Sequence, residues 1–270
     1  MPDTDKVFAG SIPRLYDEYL VPMIFAVYAE DIARRIAALS PSVLLEIAAG
    51  TGAVTRAVAA ALPGSIRYVA TDLNEPMLAV AAQRQAGDNR ITWRQADGMA
   101  LPFDDAEFDV VCCQFGAMFF PDRIKAYGEV KRVLKADGTF VFNVWDRIED
   151  NVLTREAMVA LEKLFPDDPP RFMIRTPHGY CDKTVIRGDL ERAGFHDISI
   201  ETRSEISRAP SAEYVATALC QGTPLRSEIE AKDASKLQAA TDIVAEAIRA
   251  NHGSGPVEGK IQAIVIEARG

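Results

Sequence analysis

Between residues 43 and 145 the chain repeats one rhythm: a short apolar run, a turn of small or polar residues, then a helical stripe. Val43-Leu44-Leu45-Glu46-Ile47 opens it as a nearly continuous apolar strand; residues 48–52 turn, and residues 53–62 read as a helix. Further strands are expected at 67–71, 91–95, 108–113 and 139–145, with helices at 76–85 and 123–134. Strands that are apolar on both faces and alternate with helices bury their surface as a parallel sheet covered on both sides. The expectation is therefore an α/β, doubly wound fold with helices on both faces.

The flanks carry a different pattern. Phe25, Tyr28, Ala29, Ile32 and Ile36 recur at helical spacing and stop before Ser40-Pro41. After Asp146, helices are expected at 151–165 and 183–193, a strand at 198–206, a helical stripe through Leu237, Ala240, Val244 and Ile248, and a last strand at 262–267. With no internal repeat, residues 1–270 read as a single domain: a helical cover (1–39), a ligand-binding core (40–145), an insertion over the site (146–190), and C-terminal helices with the last two strands (191–270).

Composition narrows the partners. Lys plus Arg number 30 against 39 Asp plus Glu, a net charge of -9, which argues against nucleic acid and against an anionic membrane surface. The longest apolar stretch, 21–29, is cut by Glu30, Asp31, Arg34 and Arg35, too short to span a bilayer. The acidic N-terminus lacks the layout of a secretion signal, so a cytoplasmic location is expected. Cys112, Cys113, Cys181 and Cys220 show no CxxC spacing and read as free thiols, with no metal site. A small-molecule ligand is expected, on a monomer or homodimer.

In an open parallel sheet, ligands bind beyond the carboxyl ends of the strands. The first strand ends in Glu46-Ile47-Ala48-Ala49-Gly50-Thr51-Gly52, where small residues let backbone approach a ligand closely. The second ends at Asp72, 22 positions after Gly50 (72 minus 50), whose carboxylate can accept from both hydroxyls of a ribose. Each half also reads as plain structure, a tight turn and a helix cap; together they point to a nucleoside.

At these residues the chain resembles the class I S-adenosylmethionine-dependent methyltransferases, especially the ubiquinone and menaquinone methyltransferase branch. The resemblance covers about residues 40–145. It is carried by Leu45 to Gly52, Thr71-Asp72-Leu73-Asn74-Glu75-Pro76-Met77-Leu78, Gln95-Ala96-Asp97-Gly98, Phe108-Asp109-Val110-Val111 and Arg132-Val133-Leu134-Lys135-Ala136-Asp137-Gly138. Ala48 departs from the family's usual glycine, which implies a slightly tighter turn. The resemblance implies a seven-stranded Rossmann-like sheet with its last strand antiparallel, and S-adenosylmethionine as cofactor, leaving S-adenosylhomocysteine. It places Ala48, Gly50 and Gly52 along the methionine part and Asp72 on the ribose. Leu73 and Met77 would sandwich the adenine, and Asp97 would accept from its amine beside Ala96 and Gly98. Glu46 has two readings, a group reaching the cofactor's ammonium through water or a partner of the helix terminus.

A nicotinamide-dependent oxidoreductase is the competing enzyme class, because Asp72 also suits its ribose. Ala96-Asp97-Gly98 after the third strand argues against it. A catalytically silent cofactor-binding or scaffold protein is the alternative from another class. There is no GxSxG, GxxxxGK[ST] or HExxH.

The fourth strand ends in Cys112-Cys113-Gln114-Phe115-Gly116, without the Asn-Pro-Pro-Tyr of nitrogen methylases or an acidic metal ligand. That leaves a metal-independent enzyme acting on a small, partly apolar acceptor. Gln114 and Phe115 are taken with the cofactor site, and Phe119 with the acceptor pocket. Within the insertion, Pro177-His178-Gly179-Tyr180-Cys181 offers His178 as a candidate catalytic base, against the commoner role of a structural histidine, and Tyr180 as pocket lining. Near the N-terminus, Tyr16 is a candidate for the methionine carboxylate and Tyr19 for the acceptor pocket; both also read as half-buried helix residues.

Overall fold

The computed structural model describes residues 2–62 and 64–270. Strands β1 (Val43–Glu46), β2 (Arg67–Asp72), β3 (Ile91–Gln95), β4 (Phe108–Gln114), β5 (Leu134–Trp145), β6 (Asp197–Ala209) and β7 (Val257–Arg269) form one sheet. Their order is β3-β2-β1-β4-β5-β7-β6. β1 to β5 are parallel, and β7 runs antiparallel between β5 and β6. The order reverses between β1 and β4, which opens a crevice at their carboxyl ends.

Helices cover both faces: α1 (Ile12–Leu15), α2 (Ala26–Leu39), α3 (Ala53–Ala61), α4 (Glu75–Arg84), α5 (Arg123–Val133), α6 (Val152–Leu164), α7 (Phe172–Arg175), α8 (Lys183–Arg192), α9 (Ala212–Gln221), α10 (Leu225–Asp233) and α11 (Leu237–His252). Local chemistry sets their starts. Asp122 caps α5 by accepting from Lys125 N, Asp182 caps α8 through Thr184 N and Val185 N, and Ser211 caps α9 through Tyr214 N. Between α1 and α2 the chain is a π-helix, Tyr16–Phe25, with Pro22 inside it. Proline has no N–H to donate and crowds the preceding turn, and wider winding accommodates both defects.

Most core elements lie within a residue or two of their expected places, except that β5 begins at Leu134, five residues before its expected start, and pairs there with Phe108. The late strands do not: β7 spans 13 residues and β6 another 13, against six and nine expected. They pair along their whole length, from Asp197↔Arg269 to Ala209↔Val257. β6 lies at the sheet edge with much of its surface exposed, so backbone pairing rather than apolar burial sets its extent. The cover over the crevice is also larger than residues 1–39 and 146–190, because Leu219 of α9 and the turn before α10 join it from the connection between β6 and β7.

Candidate active site

The turn after β1 is built from left-handed backbone: Ala48 has φ 53°, Gly50 56° and Gly52 80°. Ala48 is the costly position, because a Cβ crowds its own backbone there. The Asp72 carboxylate holds the turn. Its Oδ2 accepts from Gly50 N at 2.8 Å and its Oδ1 from Asn74 N at 2.7 Å, tying the ends of β1 and β2 together. Burial pushes the Asp72 carboxyl above its ordinary value, and these backbone donors pull the other way.

Beside this turn lies a cavity of about 170 Å³. One end is polar: Gly50, Asp72 and Asn74 meet the turn after β3, where Ala96, Asp97 and Gly98 line the wall. Leu73 is 46% exposed and Met77 is buried, so an apolar pair flanks this end. The other end is aromatic. Phe115, itself at φ 49°, stacks on Trp145 with ring centroids 3.9 Å apart, and Phe25 packs against both. Tyr16 stacks on Phe25 at 4.9 Å, Phe8 meets Tyr16 and Phe119 edge-on, and Tyr16, Phe8 and Phe119 all line the cavity. Burial, reinforced by the Asp72 and Asp17 carboxylates, pushes the Tyr16 hydroxyl well up, so it stays protonated.

His178 lines the aromatic end and is 7% exposed. Its Nδ1 lies 2.7 Å from the Asp146 carbonyl oxygen. A carbonyl only accepts, so Nδ1 carries the proton and Nε2 keeps its lone pair. Burial lowers the imidazole to about 4, leaving it neutral near pH 7. Among the described residues no group of three or more His, Cys, Asp or Glu is placed to hold a metal ion.

Of the residues singled out from the sequence, Tyr16, Ala48, Gly50, Asp72, Leu73, Met77, Ala96, Asp97, Gly98, Gln114, Phe115, Phe119 and His178 line this cavity. Four do not. Glu46 lies beneath the turn, 1% exposed, its Oε2 accepting from Thr55 Oγ1 at 2.6 Å and from the Tyr68 hydroxyl. Burial raises its carboxyl to about 7 against those two donors. Gly52 precedes α3, where a Cβ would come within 3.1 Å of Ala81. Tyr19 faces away and packs on Tyr214 at 4.6 Å. Tyr180 is buried behind the pocket: Arg123 lies 4.1 Å over its ring, and its hydroxyl donates to Asp189 Oδ2 at 2.9 Å.

Trp145, Phe172, Leu219 and Pro224 complete the apolar wall and were not singled out. Trp145 was accessible to sequence reasoning, since it ends β5 beside the end of β4. The others come from segments with no recognisable motif, and packing alone brings them in.

The fold and crevice define a nucleoside-binding α/β enzyme class with an adjoining apolar chamber. Residues 45–142 match the methyltransferase domain family. The demethylmenaquinone methyltransferase of Staphylococcus carnosus is 34% identical over 185 residues, 65% of this chain and 77% of that protein. That of Clavibacter sepedonicus is 40% identical over 108 residues, 40% of this chain and 43% of that protein, so the match spans less than half of that relative. A phosphoethanolamine N-methyltransferase of Haemonchus contortus, solved with phosphomonomethylethanolamine and S-adenosylhomocysteine, shares the fold with a TM-score of 0.58 at 17% identity, over 95% of this chain and 57% of that one. The chain belongs to the class I S-adenosylmethionine-dependent methyltransferases, in the ubiquinone/menaquinone C-methyltransferase-like branch. Its cofactor is S-adenosylmethionine, and the oxidoreductase and silent-scaffold readings are set aside.

The residues fit that cofactor. Gln114 Oε1 is a buried acceptor with no partner among the described residues, on a side chain that lines the cavity. It suits a donor such as an ammonium group. Gly50, at φ 56°, takes the left-handed conformation that favours glycine and puts bare backbone on the cavity wall.

Proposed function

We propose that this protein methylates a small, uncharged, partly apolar acceptor bearing an acidic hydroxyl, with His178 as general base. The carrying observation is the His178–Asp146 hydrogen bond, which leaves a neutral imidazole with its Nε2 lone pair at the aromatic end of the cavity. Among the described residues, the Lys, Arg, Asp and Glu side chains lining the cavity are Lys6, Asp72 and Asp97, with both carboxylates at its polar end. The aromatic end is walled by Phe8, Phe25, Phe115, Phe119 and Trp145, and burying an unpaired ionic acceptor among them would be costly. The relatives named for quinone substrates support a flat phenolic or quinol-like acceptor.

Asp72, Asp97, Leu73 and Met77 would hold the adenosine, and Gln114 with the 48–50 turn the methionine part. S-adenosylmethionine, when bound, supplies an electrophilic methyl group on a sulfonium. The protein's own work is alignment and exclusion of water, which Phe115, Trp145, Phe25 and Phe172 do by enclosing the acceptor in apolar surface. His178 Nε2 takes the hydroxyl proton, raising electron density on the acceptor's oxygen and on conjugated ring carbon. Transfer needs no metal in this reading.

The test is a quinol and phenol panel with His178→Gln. Turnover should fall by about 10²- to 10⁴-fold while S-adenosylhomocysteine affinity is unchanged. In the unmodified protein, kcat/KM should stay level as pH drops towards about 4, the value to which burial takes His178. Full activity in His178→Gln would remove the base assignment.

A further inference from the structure

We propose that Asn151 is a positioning residue that fixes the orientation and tautomer of His178 through the Asp146 carbonyl; the inference rests on the reading of His178 as base. Asn151 stands before α6 and is 1% exposed. Its Nδ2, with two hydrogens to share, lies within hydrogen-bond distance of three carbonyl oxygens: Arg147 at 3.0 Å, Asp146 at 3.3 Å and Gln262 at 3.3 Å. Its Oδ1 accepts from Gln262 N at 3.1 Å.

The bonds form a clip. Asp146 N donates to Gln262 O at 3.0 Å, and Gln262 Nε2 donates to Asp146 Oδ2 at 2.9 Å, carrying the β5–β7 ladder one step beyond Trp145↔Ala263. Asn151 closes the turn back onto β7. The Asp146 oxygen therefore serves two donors, Asn151 Nδ2 and His178 Nδ1, and its direction is set by the clip rather than by the histidine. The ring is otherwise held by packing, with Trp145 6.1 Å away centroid to centroid. Without a fixed acceptor at Nδ1, the neutral ring is free to carry its proton on Nε2, where it cannot serve as a base. The carboxylates acting on the ring are those of Glu149 and Asp146, both favouring its charged form, with Asp146 paired to Gln262. Asn151 itself also lines the cavity, while its amide is engaged with the backbone of residues 146, 147 and 262.

The experiment uses Asn151→Ala and Asn151→Asp, the second keeping the shape and the acceptor while losing the donor. The readouts are ¹⁵N NMR of the histidine rings and the pH profile of kcat. The chain has three histidines, and His178→Gln assigns the signal. The unmodified protein should show one imidazole locked with the proton on Nδ1. Both variants should show mixed tautomers and a kcat about tenfold lower at a cofactor affinity within about twofold, and in Asn151→Ala the acidic limb of kcat should move down, because the bond to the Asp146 carbonyl favours the charged ring. An unchanged tautomer signal in folded Asn151→Ala and Asn151→Asp would overturn the positioning role. A shifted tautomer alongside full activity of His178→Gln would instead overturn the base reading and leave the clip standing.

Discussion

Glu46 offers a test of how the turn after β1 is supported. Its carboxyl is buried, accepts from Thr55 and Tyr68, and is raised from an ordinary 4.5 to about 7. A carboxyl raised on folding binds its proton more tightly in the native state, so its stabilising contribution is full below about 4.5 and is lost as pH climbs through about 7. At about 1.4 kcal/mol per pH unit, the change between pH 5 and pH 8 comes to about 2.5 kcal/mol. Glu46→Gln is close to the protonated side chain in shape and does not titrate. Urea unfolding of both proteins at the two pH values isolates this group, because every other titration is shared. The two should be about equally stable at pH 5, and from pH 5 to pH 8 the unmodified protein should lose about 2.5 kcal/mol more than the variant. Parallel profiles, within about 0.5 kcal/mol, would mean that Glu46 is solvated or paired with a cation and that the buried arrangement described above is wrong.

Two further outcomes follow from the same turn. Asp72→Asn keeps the shape but leaves Gly50 N or Asn74 N short of an acceptor, and should weaken S-adenosylhomocysteine binding by about 1.5 to 3 kcal/mol in calorimetry; unchanged affinity would remove Asp72 from the cofactor site. Gly116→Ala would place its Cβ 2.5 Å from that of Ala48 and 2.7 Å from Cys113 Sγ, so the turn must shift, at about 1 to 3 kcal/mol of stability and with weaker cofactor binding. A thermal scan and a binding isotherm identical to those of the parent protein would show that the backbone there yields freely.

The polar end of the cavity was legible because its chemistry is local. Small residues at 48, 50 and 52 and an acid closing β2 mean the same thing wherever the chain goes next, and the strands that carry them are buried on both faces. Glu46 shows where local reading stops. Being the last residue of β1 does not say which way its side chain points, and it points under the turn rather than into the cavity. Tyr19 and Tyr180 fail for the same reason, each being one or two residues from a lining position on elements whose rotation only packing fixes.

The sequence by itself determined the parallel core of the sheet, the order of its strands' motifs and the polar residues that follow β1, β2 and β3, since periodicity and turn chemistry act over a few residues. The tertiary structure alone decided the apolar chamber. Leu219 and Pro224 reach it from between β6 and β7, Phe172 from the insertion and Trp145 from the sheet. No short-range rule links residues so far apart in the chain; burial of their common apolar surface brings them together, and the clip from Asn151 to Gln262 then aims the histidine between them.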